Sequence, residues 1–259
     1  MKFKRIAALL LLVCLLALTG CAGRTQTAIL CVKKGVVAAQ ALCESDQTLS
    51  YALAEDDAAA LQQLESGQCD FALVTAQGWQ QAKDAGYDAA ERLNDVTLAQ
   101  FAILSRAGGT AQWGRNTRVV IVGAAEADGD VLARQVLTCA LYGTVRNTDW
   151  ESALSSLRGK RADVVMGLAV PGQKNVEKAF KKVKKLELLS MPESLVSIQL
   201  PDDSMEKAKV VFGGQNAESY ALYGVLVCAK DADEDERSRV LQAAQEAGLV
   251  DSTAVILNR

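Results

Sequence analysis

The sequence predicts an α/β protein of two lobes, each a mostly parallel sheet flanked by helices, with two hinge crossings between them. Three observations predict it: a helix–turn–strand unit that occurs twice, apolar strands alternating with amphipathic helices, and no low-complexity or proline-rich linker between the two stretches. The first copy of the unit is Ala60-Leu-Gln-Gln-Leu64-Glu-Ser-Gly67-Gln-Cys-Asp70-Phe-Ala-Leu-Val74. The second is Ala153-Leu-Ser-Ser-Leu157-Arg-Gly159-Lys-Arg-Ala-Asp163-Val-Val-Met166. Each has an amphipathic helix, a Gly that admits the left-handed conformation ending it, then an Asp and a short apolar run of strand length. Continuous apolar strands alternating with helices indicate parallel pairing with both faces covered.

The elements follow in order. Ala28–Val32 is the first strand and Thr48–Ala52 the second, and Asp56 or Asp57 caps the first repeat helix. The apolar run Thr97–Ser105 is broken by Arg106-Ala107-Gly108-Gly109. Arg118–Val122 opens a new unit, with Gly123–Asp130 as its loop and Val131–Leu141 as its helix. Thr148-Asp149-Trp150-Glu151 reads as a capping box, Thr148 and Glu151 each satisfying the other's free backbone donor. Glu187–Leu189 is a short strand, Tyr220–Ala229 a long apolar one, and Asp233–Ala247 a charged surface helix. The chain thus crosses between lobes near 98–110 and returns near 215–230. Residues 28–100 with 220–259 form lobe 1, and 101–219 form lobe 2. Two short crossings permit rotation but not free tumbling.

The N-terminus addresses the chain. Lys2, Lys4 and Arg5 precede an apolar stretch, Ile6–Leu18, too short for a membrane span of about 20 residues. Leu18-Thr19-Gly20-Cys21 resembles the lipobox of bacterial lipoproteins. The resemblance implies that residues 1–20 are a signal peptide, that Cys21 is lipidated and becomes the mature N-terminus, and that 21–27 are a tether. The protein is then expected on the extracytoplasmic side, held to a membrane by lipid. Losing the three basic residues of the signal takes the net charge from −3 to −6. An acidic chain is a poor partner for nucleic acid, which demands clustered Lys and Arg. The one basic cluster, Lys178, Lys181, Lys182, Lys184 and Lys185, reads as a solvated helix face.

Chemistry is bounded by what is missing. The chain has no His and no Cys-x-x-Cys spacing. Imidazole bases, Ser-His and Cys-His pairs and His-based zinc sites are therefore excluded, and no cofactor or metal is expected. Gly123–Asp130 lacks the Gly-Lys-Ser/Thr ending of a phosphate loop. Beyond Cys14 and Cys21 the cysteines are Cys31, Cys43, Cys69, Cys139 and Cys228, an odd number, so at least one thiol is free or pairs between chains. Cys31, Cys69, Cys139 and Cys228 lie in or beside apolar runs and read as small buried hydrophobes.

The Leu-x-x-Gly-x-x-Asp-Phe-Ala-Leu-Val segment, Arg118-Val-Val-Ile-Val-Gly123, Trp150–Met166 and Tyr223-Gly-Val-Leu-Val-Cys-Ala229 together resemble the type 2 periplasmic-binding-protein fold. More narrowly they resemble TAXI-type receptors of TRAP transporters and NMT1-like receptors of ABC transporters. The resemblance spans roughly residues 28–247. It implies two lobes closing on a small solute (a carboxylate or an amino acid), delivery to membrane permease subunits, and no catalysis. The chain departs from the family at Lys33-Lys34-Gly35-Val36-Val37, where a Gly- and hydroxyl-rich loop is usual, and at the acidic loop Gly123–Asp130.

Ligands in open α/β sheets lie beyond the carboxyl ends of strands. That rule selects Thr75 and Gln77 as hydrogen-bonding groups and Trp79 as either an apolar wall or a packing anchor of its own helix. It also selects Gly123 and Ala124 before a helix whose free N–H groups could hold an anion, although Glu126, Asp128 and Asp130 oppose a dianion there and read rather as solvated complements of the helix dipole. The loop Gly167 to Gln173 contributes Gly167, Pro171 and Gly172. Lys34 is a candidate partner for a carboxylate, and Tyr223 a candidate cleft residue. The leading expectation is a solute-binding receptor of an importer, not an enzyme. The alternative is a non-transport lipoprotein that keeps the fold for sensing or protein interaction, favoured if the protein's own side chains fill the cleft.

Overall fold

Both faces of the inner strands are apolar, Phe71–Thr75 being buried throughout, and helices covering each face give three layers. The computed structural model describes residues 28–34, 36–138, 144–193 and 198–250. In order these form β1 (Ala28–Lys33), α1 (Ala38–Ser45), β2 (Leu49–Ala54), α2 (Asp57–Glu65), β3 (Phe71–Thr75), α3 (Ala76–Asp84) and β4 (Ala90–Ser105). There follow β5 (Arg118–Val122), α4 (Asp128–Thr138), β6 (Thr144–Thr148), α5 (Trp150–Arg158), β7 (Val164–Ala169) and α6 (Lys174–Lys182). The last are β8 (Glu187–Leu188), β9 (Met205–Phe212), β10 (Gln215–Ala229) and α7 (Glu234–Glu246). The strands join one sheet in the order β2-β1-β3-β10-β4-β7-β5-β6, with β8 on β4 and β9 on β10.

The class is α/β, with helices on both faces of the sheet. β1 pairs in parallel with β2 and β3, and β5 in parallel with β6 and β7. Between these trios run two long strands, β4 and β10, antiparallel to each other and to their outer neighbours. Leu30, Val32, Phe71, Leu73, Val119 and Ile121 face one core, shared by helices α1, α4 and α7. The alternate residues face the other side of the sheet. There Cys31, Ala72 and Val74 pack under α2 and α3, and Val120, Val122 and Val165 under α5 and α6. One face therefore carries a single core across both trios, and the other carries two separate ones.

The repeated Asp explains the repeated motif. Ile29 donates its N–H to the Asp70 carboxylate at 2.8 Å, and Asp70 donates its own N–H to the Ile29 carbonyl at 2.9 Å. Asp163 does the same with Arg118, at 3.0 and 2.9 Å. In both halves an Asp at the base of the third strand ties down the start of the central one. Asp163 also accepts a two-pronged contact from the Arg118 guanidinium, at 2.9 and 2.7 Å.

Several boundaries differ from the sequence expectation. Asp56 caps α2, taking the Ala59 N–H at 2.7 Å. The second repeat helix is capped by Asp149, which accepts from Ser152 N–H at 2.8 Å, so the capping box on Thr148 and Glu151 does not form. Gly67 is left-handed (φ 70) as expected, but Gly159 is not: Lys160 takes that conformation at φ 56. The helix expected over Val131–Leu141 starts earlier, at Asp128, and its last expected residues lie outside the described ones. β4 begins at Ala90 rather than Thr97, because antiparallel pairing to β10 holds even the polar stretch Glu91–Asp95 extended. Cys31, Cys69 and Cys228 are buried and free, Cys43 is free and half-buried, and Cys139 lies outside the described residues.

The Arg118 hydrogen bond, outweighing burial, holds Asp163 below the usual carboxylate range. A depressed folded value means that its contribution is complete above that range and lost as pH falls through the lowered value. Asp163→Ala is expected to cost roughly 1 kcal/mol at neutral pH and to flatten the acid limb of the stability profile, read by urea unfolding between neutral and acid pH.

Candidate functional site

The pairing pattern dictates where a site can form. β3 and β7 flank the crossing pair, and β4 runs from the first trio into the second. The carboxyl ends of β1 and β3 therefore point toward the second trio, and those of β5 and β7 toward the first. Through β10, Thr75 aligns with Gly224 and hence Val96; Ala169 aligns with Gln100. Four residues of β4 separate the two sets of strand ends, roughly 13 Å at strand rise. Both sets of loops converge on one boundary, and the residues around it form the candidate site.

On one side of that boundary lies a polar cluster. Lys33, the last residue of β1, pairs with Asp202 at 3.2 Å, and Asp202 is largely buried. Burial pulls Lys33 down, but the hydrogen bond and charge of Asp202, with Asp57 and Asp128 nearby, hold its ammonium above the ordinary value. Burial pushes Asp128 up, Lys33 opposes this, and Asp202 adds to it. At the start of α3, Thr75 is the cap: its hydroxyl accepts from Gly78 N–H at 3.0 Å and donates to Asp57 at 2.5 Å. The Gln77 N–H, an orphan donor of that first turn, is satisfied by the Ser204 hydroxyl at 2.8 Å. The Gln77 side-chain amide reaches Asp203 at 2.8 Å.

On the other side, the shared core leaves an opening. A cavity of about 470 Å³ is bounded by Val37, Gln40, Ala41 and Glu44 at α1, and by groups including Gly123, Asp149, Trp150 and Val170 of the second trio. Trp150 is fixed by its indole N–H, which donates to the Leu168 carbonyl at 2.7 Å. Among the described residues the lining includes Glu44, Asp149 and Glu151 but no Lys or Arg. Hydrogen bonds from the backbone and side chain of Ser152 hold Asp149 below the usual carboxylate range, so it is charged at neutral pH.

The structure distributes the expected residues unevenly. Gly123 lines the cavity, with φ 111. Ala124 is exposed beside it, its carbonyl accepting from Ala127 N–H. Gln77 and Tyr223 both bond Ser204, the Tyr223 N–H donating to its carbonyl at 3.0 Å, while Thr75 is committed to Asp57 and Gly78. Thr75 ends a strand, and Gln77 and Trp79 belong to α3 rather than to a loop. Trp79 packs in the core under α2 and α3, edge-on to Tyr87 at 6.3 Å and beneath the Lys83 ammonium. That core is on the opposite face of the sheet from Val37 and Ala41. Lys34 pairs with Glu55, both exposed, so its neighbour Lys33 is the lysine that turns inward.

Gly167 lies within β7, opposite Ala102, and the loop begins only at Val170. A Cβ at Gly167 would stand 2.7 Å from the Val122 Cβ and 3.0 Å from its carbonyl oxygen, so glycine serves close packing of β5 against β7. Pro171 and Gly172 face Ala247 and Gly248 after α7. Cys21 lies outside the described residues. Sequence reasoning missed Asp202, Ser204 and the α1 wall. Pro201-Asp202-Asp203-Ser204 signals a turn, yet nothing local says where the turn docks.

No family model and no curated protein matches the chain. Solved structures do resemble it. An ABC transporter protein from Parabacteroides distasonis shares 11% identity over 86% of this chain and 74% of its own, with a TM-score of 0.42. A TctC solute-binding protein from Polaromonas shares 15% over 87% and 85%, TM-score 0.42. The second substrate-binding domain of a putative amino acid ABC transporter from Streptococcus pneumoniae shares 12% over 85% and 96%, TM-score 0.41.

Gly167→Ala is expected to destabilise the fold by about 1–3 kcal/mol through overpacking against Val122, measured by thermal or urea unfolding.

Proposed function

We propose that the protein is an extracytoplasmic solute-binding receptor of an ABC or TRAP importer, of the TAXI or NMT1-like kind, anchored by lipid on Cys21. The observation that supports it is the cavity with one wall from α1 and the other from β5, α5 and the β7 loop. A site with walls from two halves of a sheet couples occupancy to their separation: a solute that binds the closed arrangement better shifts the equilibrium toward it. In this reading residues 28–100 with 220–259 move as one lobe and 101–219 as the other, about the β4 and β10 crossings. Gly123 touches the solute directly with Ala124 beside it, while Pro171 and Gly172, packed on Ala247 and Gly248, shape the loop that brings Val170 and Gln173 to the opening. The carboxylates of Glu44, Asp149 and Glu151 favour a solute bearing an ammonium group, an amino acid above a dicarboxylate. The protein is not an enzyme in this reading: it hands the solute unchanged to membrane permease subunits.

A thermal-shift screen with amino acids, dicarboxylates, phosphonates, sulfonates and vitamins tests the proposal. A solute at a hundred times its dissociation constant stabilises the fold by about 2.7 kcal/mol. Ala41→Trp, which fills the cavity, is expected to abolish that shift while leaving a cooperative unfolding transition. Silence across the whole panel would sink the receptor reading. One observation favours the alternative, a non-transport lipoprotein of the same fold: side chains of the protein itself occupy the boundary at Lys33 and Gln77.

A further inference from the structure

Charge is divided unevenly between the two halves of the chain. Residues 28–100 with 220–259 hold 8 Lys and Arg against 18 Asp and Glu, a net charge of −10. Residues 101–219 hold 16 against 13, a net charge of +3. The excess sits in residues 144–185, with ten Lys and Arg, all exposed, and four acids. Three of those acids are committed elsewhere: Asp163 to Arg118, Asp149 to the start of α5, and Glu177 to the Gly213 N–H at 2.9 Å. Among the described residues none of the ten cations forms an ion pair. The first half differs. There Lys33, Lys34, Arg92, Lys230, Arg237 and Arg239 are all paired, and Lys83 lies over the Trp79 ring.

The fold gathers the unpaired cations at one end. α5 leads from the carboxyl end of β6 to the start of β7, and α6 from the carboxyl end of β7 to the start of β8. Both helices therefore run away from the boundary, and their last turns lie at the far end of the second trio. Arg158, Lys160 and Arg161 stand where α5 ends, and Lys181, Lys182, Lys184 and Lys185 where α6 ends. Arg158 lines one groove with Lys178 and Lys182, and Arg146 lines another with Arg161 on the far side of α5. Val176, Ala179 and Val183 turn the apolar stripe of α6 into the core, so its lysines project outward. Complementing a helix dipole accounts for about one or two cations per helix, not for this density.

We propose that this end of the second half is an electrostatic docking surface for an anionic lipid membrane. A cluster of this size is what anionic headgroups hold, each cation near the surface adding to the attraction within a Debye length. The patch lacks the anchors of a protein interface: the exposed large apolar residues are Ile29, Tyr51, Leu53 and Val211, none of them on α5 or α6. Trp150 is buried and Phe180 half-buried, so no exposed aromatic invites nucleobases to stack. The acidic first half is repelled by the same surface, which makes the second half the side that meets the lipid. A lipid on Cys21 is compatible with this pose: seven tether residues reach about 23 Å when extended, roughly two Debye lengths. The boundary stays open, because the helix ends that bear the patch point away from it. This inference goes beyond the solute-binding reading and stands without it.

Vesicle flotation of the full chain tests the proposal, using phosphatidylcholine alone or with about one-third phosphatidylglycerol. Residues 1–27 are common to every variant, so the difference between variants reads the patch. The triple variant Lys178→Gln, Lys181→Gln, Lys182→Gln is expected to partition onto anionic vesicles at least about tenfold less at about 0.1 M salt. Raising salt to about 0.5 M should bring the wild type down to the same level. Neutral vesicles should hold both alike, and changing the three lysines to arginine should keep the wild-type behaviour. Arg158→Gln with Arg161→Gln, on the other helix, repeats the reading if the triple variant loses its cooperative unfolding transition. Equal partitioning of wild type and neutralised variants onto anionic vesicles overturns the proposal. A tighter hold on duplex DNA than on those vesicles at equal salt also overturns it, assigning the patch to nucleic acid.

Discussion

The antiparallel pairing of β4 with β10 is the constraint on which the rest of the structure depends. Each strand is long enough to serve both halves, and the two meet side by side at Gln100 and Ala221. Because they run in opposite directions, the parallel trios attached to them are inverted relative to each other. That inversion turns the carboxyl ends of β1, β3, β5 and β7 toward one boundary. Without it, the loops after Lys33, Thr75, Val122 and Ala169 would lie at opposite ends of the sheet. Any function at this boundary follows from strand direction before any side chain is considered.

The two faces of the sheet divide the mechanical work. Under α2–α3 and α5–α6 the cores are separate, so each half is closed on its own there. On the other face Leu30, Leu42, Ile121, Leu132 and Val170 belong to a single cluster. Separating the halves would expose part of that cluster, at about 25 cal/mol per Å² of apolar surface. Any separation of the halves works against this term, and the cavity beside α1 lies at the margin of the shared core.

Electrostatics acts at shorter range. The exposed pair of Lys34 and Glu55 contributes little, as surface pairs do. Lys33, one residue earlier, is half-buried and has three carboxylates near it. Adjacent lysines thus have different roles, decided by which face of the strand end each occupies. Burial also raises the Cys31 and Cys69 thiols, which disfavours the reactive thiolate and suits a packing role.

Much of the fold was legible locally. The repeated Leu–Gly–Asp–apolar unit placed α2 with β3 and α5 with β7, and Arg118–Val122 matched its strand end to end. Apolar periodicity and caps operate within a few residues, so they can be read from the chain itself. The site was legible only in part. The strand-end rule selected Gly123, which lines the cavity, and Lys34 at the end of β1, where Lys33 instead turns inward; Trp79 faces the α2–α3 core because the helical turn from Thr75 carries it there. Asp202 and Ser204 act on residues more than a hundred positions away, through a turn whose sequence says only that it bends. The double α/β unit and the chemistry closed to a chain without His were determined by sequence alone, whereas α1, β6 and β9 were not read from it. Which lysine turns inward, which face carries the shared core and what fills the boundary were decided by tertiary structure, because burial and charge pairing depend on neighbours that only the folded chain brings together.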